Sequence, residues 1–224
     1  MMVSDDTAAS PHRRPPLTAR GHDKRQRILD EAADILARQG YAGTTLADIA
    51  KAAGTHAGSL FYHFGSREEL AEEVFTAGAR AALHHVSTAV AALPDGVSAR
   101  IALETAIVAH VAFILERSPA ALASIRSIGQ IPAAIAEPLQ VVFAEYGHYF
   151  ADLIKAAVEE GSLDSSVDAS VVRMLLLGAA NWTAEWYHPH GPAAATEIGQ
   201  QLCRMVFDGF GSGRRRTRRT PSTP

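Results

Sequence analysis

The stretch AGTHAGSLFYHF, residues 53–64, places two glycines and a row of small side chains directly before a cluster of aromatic rings. Gly54 suits a turn that needs a positive φ, because glycine has no Cβ to clash. The small residues after it are expected to form the exposed first turn of a short helix. Leu60, Phe61 and Phe64 are expected to anchor that helix in the core beneath it. The pattern favours a helix that approaches another molecule closely over one buried on all sides.

Two capping-box patterns flank this stretch. Thr45-Leu-Ala-Asp48 opens a short helix before it, and Ser66-Arg-Glu-Glu69 opens a long helix after it. Together with a longer helix upstream, two short helices joined by a tight turn predict a helix-turn-helix. The second helix of such a motif presents its N-terminal residues to base edges in the major groove of DNA, which is about 12 Å wide. A capped helical hairpin that binds no DNA is the alternative.

The helix-turn-helix interpretation assigns roles along the motif. Residues 55–59 are expected to reach bases, while hydroxyl, imidazole and guanidinium groups around them are expected to bind phosphates. The free backbone N–H groups at the start of the first short helix suit a phosphate as well. The predicted DNA-binding set is Thr44, Thr45, Thr55, His56, Ala57, Gly58, Ser59, Tyr62, His63 and Arg67.

The segment TTLADIAKAAGTHAGSLFYHFGSREEL (44–70) resembles the signature of the TetR family of bacterial transcriptional regulators. IAKAAG (49–54) matches its core and FGSREEL (64–70) its end. Arg67 stands where lysine is commoner in the family. Phe61 stands where tyrosine is frequent, and its ring cannot donate a hydrogen bond to a phosphate. The resemblance is strong over residues 22–75 and implies a homodimer that binds DNA and a small effector.

The rest of the chain predicts an all-α fold. Glycine and proline fall between helical patterns, and β-branched alternation is nearly absent. Nine helices are expected at about 23–39, 45–54, 55–64, 66–93, 98–117, 119–129, 133–160, 168–187 and 193–210. The expected organisation is a disordered tail at 1–21, a DNA-binding domain at 22–66, an effector-binding and dimerisation domain at 67–210, and a disordered basic tail at 211–224.

Composition excludes several classes of protein. No apolar run is long enough to span a membrane, no signal-peptide pattern opens the chain, and the single Cys203 allows no internal disulfide, which together predict a cytoplasmic protein. Residues 1–67 carry a net charge of +2 and residues 68–213 one of −10, so an anionic partner is expected at the head alone. Two pairs of histidines, His84 with His85 and His188 with His190, lack the spacing of metal ligands. We therefore expect no metal and no cofactor.

Helices four to seven offer a candidate effector pocket. Its expected lining is Val74, His110, Phe113, Ile114, Phe143, Tyr146 and Phe150. From the residues alone a filled core explains the same pattern equally well. The family resemblance favours the pocket, which would suit a large apolar ligand because no cluster of Lys or Arg accompanies it.

The segment SVVRMLLLGAANWTAEWYHPHG (170–191) is apolar on two faces, so it predicts a helix with two neighbours. One face suits the core of its own chain. The other suits the same helix of a second subunit, in a four-helix contact completed by the last helix. The predicted dimer interface is Val171, Leu175, Gly178, Trp182, Trp186, Leu202 and Val206. Residues 181–191 also resemble TetR regulators of fatty-acid or steroid catabolism, whose effectors are acyl-CoA thioesters.

These observations predict a homodimeric repressor that an apolar effector, such as an acyl-CoA, releases from a palindromic operator. A TetR-type regulator of drug efflux or secondary metabolism that responds to another apolar ligand is the alternative, and activation in place of repression stays open. An enzyme in the body of the chain is a hypothesis from another class. No G-x-S-x-G, Walker loop, Rossmann fingerprint or HExxH motif supports it.

Overall fold

The computed structural model describes residues 18–116, 118–127 and 129–209, and these form nine α-helices and no strand. The prediction of an all-α fold is confirmed. None of the described helices is both long and apolar enough to cross a membrane. The helices are α1 (Ala19–Gly43), α2 (Leu46–Ala52), α3 (Ala57–His63), α4 (Arg67–Ala91), α5 (Ala99–Glu116), α6 (Pro119–Ser127), α7 (Ala133–Glu159), α8 (Ala169–Trp186) and α9 (Ala195–Phe207).

The first helix begins earlier than the sequence predicts. Thr18 caps α1, and its hydroxyl oxygen accepts a hydrogen bond from the backbone N–H of Gly21 at 3.2 Å. The prediction of a disordered tail reaching residue 21 is therefore wrong for residues 18–21. Residues 1–17 and 210–224, and with them the predicted basic tail at 211–224, lie outside the described residues. Near its end α1 bends at Gly40, where a φ of 67° suits glycine.

The helix-turn-helix forms from the local signals that predict it. Thr45 caps α2 by accepting from the N–H of Asp48, and Ser66 caps α4 by accepting from the N–H of Glu69. Between α2 and α3, Gly54 has a φ of 62°, so the turn uses the positive φ that only glycine adopts freely. Leu60 anchors α3 in the core with 1% of its surface exposed.

Polar contacts attach the helix-turn-helix to α4. The guanidinium of Arg25 on α1 donates two hydrogen bonds to the carboxylate of Glu73 and lies 4.7 Å from the ring centre of Phe64. The hydroxyl of Tyr41 donates to Oε1 of Glu68 at 2.7 Å. That hydrogen bond is the main reason that the pKa of Glu68 lies below its usual value. The start of α4 therefore follows the position of α1.

One continuous core joins the head to α6 and α7. It contains buried residues of α1 to α4 together with Ala123 of α6 and Leu139 of α7. Gly78 lets α4 approach α6 closely, because a Cβ there would lie 2.4 Å from the carbonyl oxygen of Ala120. A second core is built from α4, α5, α7, α8 and α9.

The C-terminal end of α6 contacts both the head and α8. The guanidinium of Arg126 donates to the carbonyl of Ala37 in α1 at 2.6 Å and to that of Ala184 in α8 at 2.8 Å. Just beyond α6, Oε1 of Gln130 accepts from the N–H of Ala42 at 3.0 Å. The residues after Gly40 are thus tied to α6, and a shift of α6 must be felt at the end of α1.

Candidate nucleic-acid interface and ligand cavity

The first turn of α3 presents an exposed surface of small side chains. His56, Ala57 and Gly58 are exposed, while Thr55 and Ser59 are half-buried. One turn further along, the ring of Tyr62 has 57% of its surface exposed. This surface has the shape that the sequence predicts for a helix entering a groove. Thr45 is exposed at the start of α2 and lies within the same motif.

His56 has a structural role that sequence reasoning missed. Its Nδ1 accepts a hydrogen bond from the backbone N–H of Ser59 at 3.1 Å, so the imidazole is the N-cap of α3. Nε2 is the ring nitrogen that this cap leaves for a contact with DNA. The spacing of His56 from the helix was the available signal, but histidine is not among the usual capping residues.

Three residues that the sequence predicts as phosphate contacts are buried or have partners within the protein in this structure. The hydroxyl of Thr44 is buried and donates to the carbonyl of Gly40 at 2.8 Å, and the ring of His63 is only 5% exposed. Arg67 donates from Nη1 to the carbonyl of Thr44 at 2.9 Å, and its guanidinium lies 4.1 Å from the ring centre of Tyr41. Packing buries Thr44 and His63, whereas the side chain of Arg67 stays 33% exposed beside Tyr41.

Phe61 is exposed, although the sequence predicts that it anchors α3 in the core. Leu60 and Phe64 are each 1% exposed and form the expected anchor, whereas Phe61 is 54% exposed. Successive helical residues point about 100° apart, so Phe61 shares the outer face with Tyr62. Lys51 at the end of α2 is also exposed and carries positive charge close to the turn. Sequence reasoning included neither residue in the DNA-binding set.

A cavity of about 510 Å³ lies between α4, α5, α6, α7 and α8. Its volume falls within the range of roughly 300–1,000 Å³ that is usual for small-molecule sites. The described residues that line it include no Asp, Glu, Lys or Arg. They are Gly78, Ala79, Ala82, His110, Ile114, Ala121, Ser124, Ile125, Gly129, Ile131, Ala136, Leu139, Gln140, Phe143, Tyr146, Met174, Leu177, Gly178 and Asn181.

The cavity contains four of the seven predicted pocket residues, which are His110, Ile114, Phe143 and Tyr146. The other three do not line it. Val74 is buried in the core shared with the head, Phe150 in the second core, and Phe113 in a small cluster with Ala82 and Ala121. Helix periodicity identifies an inward face, but it does not say which inward residues meet a neighbour and which border a space.

The polar part of the cavity is a hydrogen-bonded cluster. Nδ1 of His110 lies 2.6 Å from the hydroxyl oxygen of Tyr146, and Nε2 lies 3.2 Å from Oδ1 of Asn181. Burial lowers the pKa of His110 to about 4, because the charged ring would lose its hydration. Burial likewise raises the pKa of the Tyr146 hydroxyl above its usual value. All three side chains are therefore uncharged near neutral pH.

The buried His110 predicts a loss of stability in mild acid. The unfolded chain binds a proton below the ordinary pKa of 6.5, whereas the folded chain does so only near pH 4. The free energy of unfolding should therefore fall as the pH drops from 6.5 towards 4, by up to about 1.4 kcal/mol per pH unit from this group. His110→Gln should flatten that slope, measured by urea unfolding at constant protein concentration. His148→Gln, at an exposed position on α7, should keep the wild-type slope, and equal slopes for all three proteins would contradict the prediction.

The predicted dimer residues of α8 form an exposed apolar stripe. Val171, Leu175, Trp182 and Trp186 are between 49% and 69% exposed, and Gly178 is exposed between them. Met174, which is 63% exposed, extends the stripe and also lines the cavity, as does Gly178. The cavity therefore borders the face of α8 that carries the stripe.

The predicted dimer residues of α9 are more deeply placed. Leu202 is 8% exposed and belongs to the second core, because Gly199 brings α9 close to Val108 of α5. Leu202 therefore offers little surface to a partner, and its place in the dimer interface stays a prediction. Val206 is half-buried and packs against the same core.

Two family profiles match the chain. Residues 28–74 match the profile described as bacterial regulatory proteins of the tetR family. Residues 96–210, just over half of the chain, match the tetracyclin repressor-like C-terminal domain. The first match covers the helix-turn-helix, and the second covers α5 to α9.

Individual relatives agree with these profiles. The HTH-type transcriptional repressor KstR2 of Rhodococcus jostii (strain RHA1) is 28% identical over 193 residues, which cover 84% of this chain and 92% of that protein. The crystal structure of AibR in complex with isovaleryl coenzyme A and operator DNA has a TM-score of 0.74 at 19% identity, covering 82% of this chain and 98% of that one.

The structure of the ketosteroid transcriptional regulator KstR2 of Mycobacterium tuberculosis has a TM-score of 0.70 at 23% identity, with 83% of this chain and 94% of that one covered. These structural likenesses, at low identity, show that the fold is shared. The profile matches extend that likeness to the sequence of both the head and the body. The chain therefore belongs to the TetR family of bacterial transcriptional regulators.

Proposed function

We propose that the protein is a homodimeric transcriptional repressor, released from its operator by an apolar effector that is an acyl-CoA of lipid or steroid catabolism. Residues 18–66 form the DNA-binding head and residues 67–209 the effector-binding and dimerisation body. We assign the chain no catalytic role and place its action in the bacterial cytoplasm, where its DNA target lies. The observation that carries the proposal is the exposed first turn of α3, held by the turn at Gly54 and the cap at His56.

The proposed DNA contact depends on the position and exposure of α3. In a two-fold symmetric dimer, two copies of α3 enter successive major grooves about 34–36 Å apart. Ala57 and Gly58 allow the helix to approach base edges, while Tyr62 lies one turn along and can donate its hydroxyl to a phosphate. Lys51 and Thr45 extend the contact across α2. The operator is therefore expected to be palindromic.

The effector assignment rests on the apolar lining of the cavity and on the names of two structurally similar proteins. The cavity is apolar, uncharged and lined by five helices, which suits the acyl part of a ligand. The exposed Gln140 of α7 stands at its rim, so a charged CoA group would remain outside the apolar space. The name of AibR's complex includes an acyl-CoA, and KstR2 is named as a ketosteroid regulator. Both relatives support the choice of effector for this chain.

Release requires the effector to bind most tightly to a conformation that binds the operator weakly. The cavity walls include α4 and α6, the two helices that are tied to the head. Glu68 and Glu73 connect α4 to α1, and Arg126 connects α6 to α1 and α8. A ligand that separates these walls moves the two heads relative to each other, and both copies of α3 then no longer fit their grooves.

Operator binding tests the proposal directly. Fluorescence anisotropy with DNA from upstream of the protein's own gene should show specific binding, and acyl-CoA thioesters at micromolar concentration should reverse it while free CoA should not. Release by an apolar drug but by no thioester would favour a regulator of efflux or secondary metabolism. Absence of binding to any palindromic DNA upstream of its own or neighbouring genes would contradict the repressor assignment.

Two substitutions in α3 should separate affinity from sequence preference. Tyr62→Phe removes one hydroxyl and should weaken binding to all DNA sequences alike, by about fivefold per subunit. His56→Asn keeps a capping acceptor for Ser59 but changes the group at the base edges, so it should alter base preference. Competition anisotropy against single-base operator variants measures both effects. A change of base preference in Tyr62→Phe with unchanged affinity would reverse the two roles.

A further inference from the structure

Asn181 is the polar side chain through which α8 faces the cavity. Its Oδ1 lies 3.2 Å from Nε2 of His110, whose Nδ1 lies 2.6 Å from the hydroxyl oxygen of Tyr146. The ring of His110 is only 3% exposed, and it packs against both Tyr146 and Phe150. The three side chains therefore form an ordered chain of polar groups inside an apolar space.

The positions of the protons in this chain follow from its geometry. The acceptor Oδ1 faces Nε2, so Nε2 carries the proton and donates it to Asn181. Nδ1 is then the acceptor nitrogen, and the Tyr146 hydroxyl donates to it. The Nε2–H of His110 and the hydroxyl proton of Tyr146 are therefore both donated within the cluster. The amide nitrogen of Asn181 keeps two N–H groups, and no hydrogen bond joins it to another of the described residues.

The remaining polar groups of the wall leave Asn181 as the inner donor. The hydroxyl of Ser124 already donates to the carbonyl of Ala120 at 2.9 Å. Gln140 is exposed and therefore stands at the rim. His110 stays neutral because burial depresses its pKa to about 4, and the cavity lining includes no Lys or Arg among the described residues.

This inventory selects the chemistry of the ligand. An ionised carboxylate in the cavity would lose its hydration without meeting a cation, which is strongly unfavourable. A neutral carbonyl oxygen needs a single donor, and an amide N–H supplies it. A group without a carbonyl oxygen would leave the donor of Asn181 without a partner, which is also unfavourable.

We propose that the amide nitrogen of Asn181 donates a hydrogen bond to a neutral carbonyl oxygen of the effector, so that Asn181 selects a thioester or ketone over a ligand of the same size that lacks the carbonyl. This inference rests on the proposed function, because it takes the cavity as the effector site. Tyr146 is a positioning residue in this arrangement. Its hydroxyl holds the tautomer of His110 that turns the amide nitrogen of Asn181 towards the ligand.

Pairs of CoA derivatives that differ only in the carbonyl test this site. Hexanoyl-, decanoyl- and hexadecanoyl-CoA are compared with S-alkyl-CoA thioethers of the same chain length, using calorimetry on the full chain. The wild type should bind a thioester about tenfold more tightly than its thioether, as expected for one hydrogen bond to a buried donor. In Asn181→Leu the two affinities should agree within about twofold, and Tyr146→Phe should lower the ratio to an intermediate value.

The ratio within a pair is the deciding quantity, because a general loss of stability affects both ligands equally. Equal binding of thioester and thioether by the wild type would overturn the role of Asn181 and leave the effector cavity in place. A tenfold ratio retained in Asn181→Leu would overturn it as well, and Asn181→Ala replaces that variant if it does not fold. Failure of every pair to bind would overturn the acyl-CoA effector of the proposed function and this site with it.

Discussion

Replacing Leu175 with aspartate is expected to separate the two subunits and to abolish operator binding at nanomolar protein. Leu175 is 69% exposed in the single chain, so the substitution removes little packing from its own core. In the expected dimer it lies in the centre of the α8 stripe, where each subunit would bury an unpaired carboxylate. Each of the two buried carboxylates should cost about 2 kcal/mol of dimer stability. The dissociation constant of the dimer should therefore rise roughly a thousandfold.

Sedimentation velocity measures this outcome, and anisotropy on the operator measures its consequence for DNA binding. Ile101→Asp is the matched control, because Ile101 is 44% exposed on α5 and lies outside the α8 stripe. The control protein should remain dimeric and bind the operator. A Leu175→Asp protein that stays dimeric at nanomolar concentration would show that the stripe is not the dimer interface.

Trp182 is also exposed in the single chain, so its replacement is expected to affect the dimer more than the fold of the subunit. A tryptophan buried in its own chain costs roughly 3–5 kcal/mol when it is cut back to alanine. Trp182 is 66% exposed, so that cost should fall on dimer formation and not on the fold of the subunit. Trp182→Ala should consequently lower the melting temperature most at low protein concentration, where the dimer is least populated.

Replacing Phe143 with arginine is expected to abolish release by the effector. Phe143 lines the cavity from α7 and also packs against the core shared with the head. A guanidinium at this position fills the apolar space and brings a charge that no carboxylate of the described lining neutralises. The concentration of acyl-CoA needed for half-release should rise at least a hundredfold.

Operator anisotropy with increasing thioester gives both quantities in one titration, because the starting signal reports DNA binding and its decrease reports release. Phe143→Leu is the matched control, since leucine keeps an apolar wall and frees some volume. That variant should still respond within about tenfold of the wild-type concentration. If Phe143→Arg responds as the wild type does, the effector binds outside this cavity.

Local sequence patterns are enough to predict the helices of the fold and the identity of the DNA-binding motif. Helix starts depend on neighbours a few residues apart, and the caps at Thr45 and Ser66 form as their patterns predict. The turn at Gly54 depends on the conformational freedom of one residue. The α8 stripe follows from helical periodicity alone, which is why its exposed tryptophans were predicted as a surface for a partner.

The packing of the helices determines which inward-facing side chains line the cavity and which are buried in the core, and the sequence patterns do not predict it. Phe143 and Phe150 lie on the same helix in similar patterns, yet one lines the cavity and the other is fully buried. The tie from Arg126 to Ala37 and Ala184, and the cluster of His110 with Asn181, join residues far apart in the chain. Such contacts depend on the crossing angles and separations of packed helices, and these are set by all the residues of an interface together. No local pattern of residues contains that information.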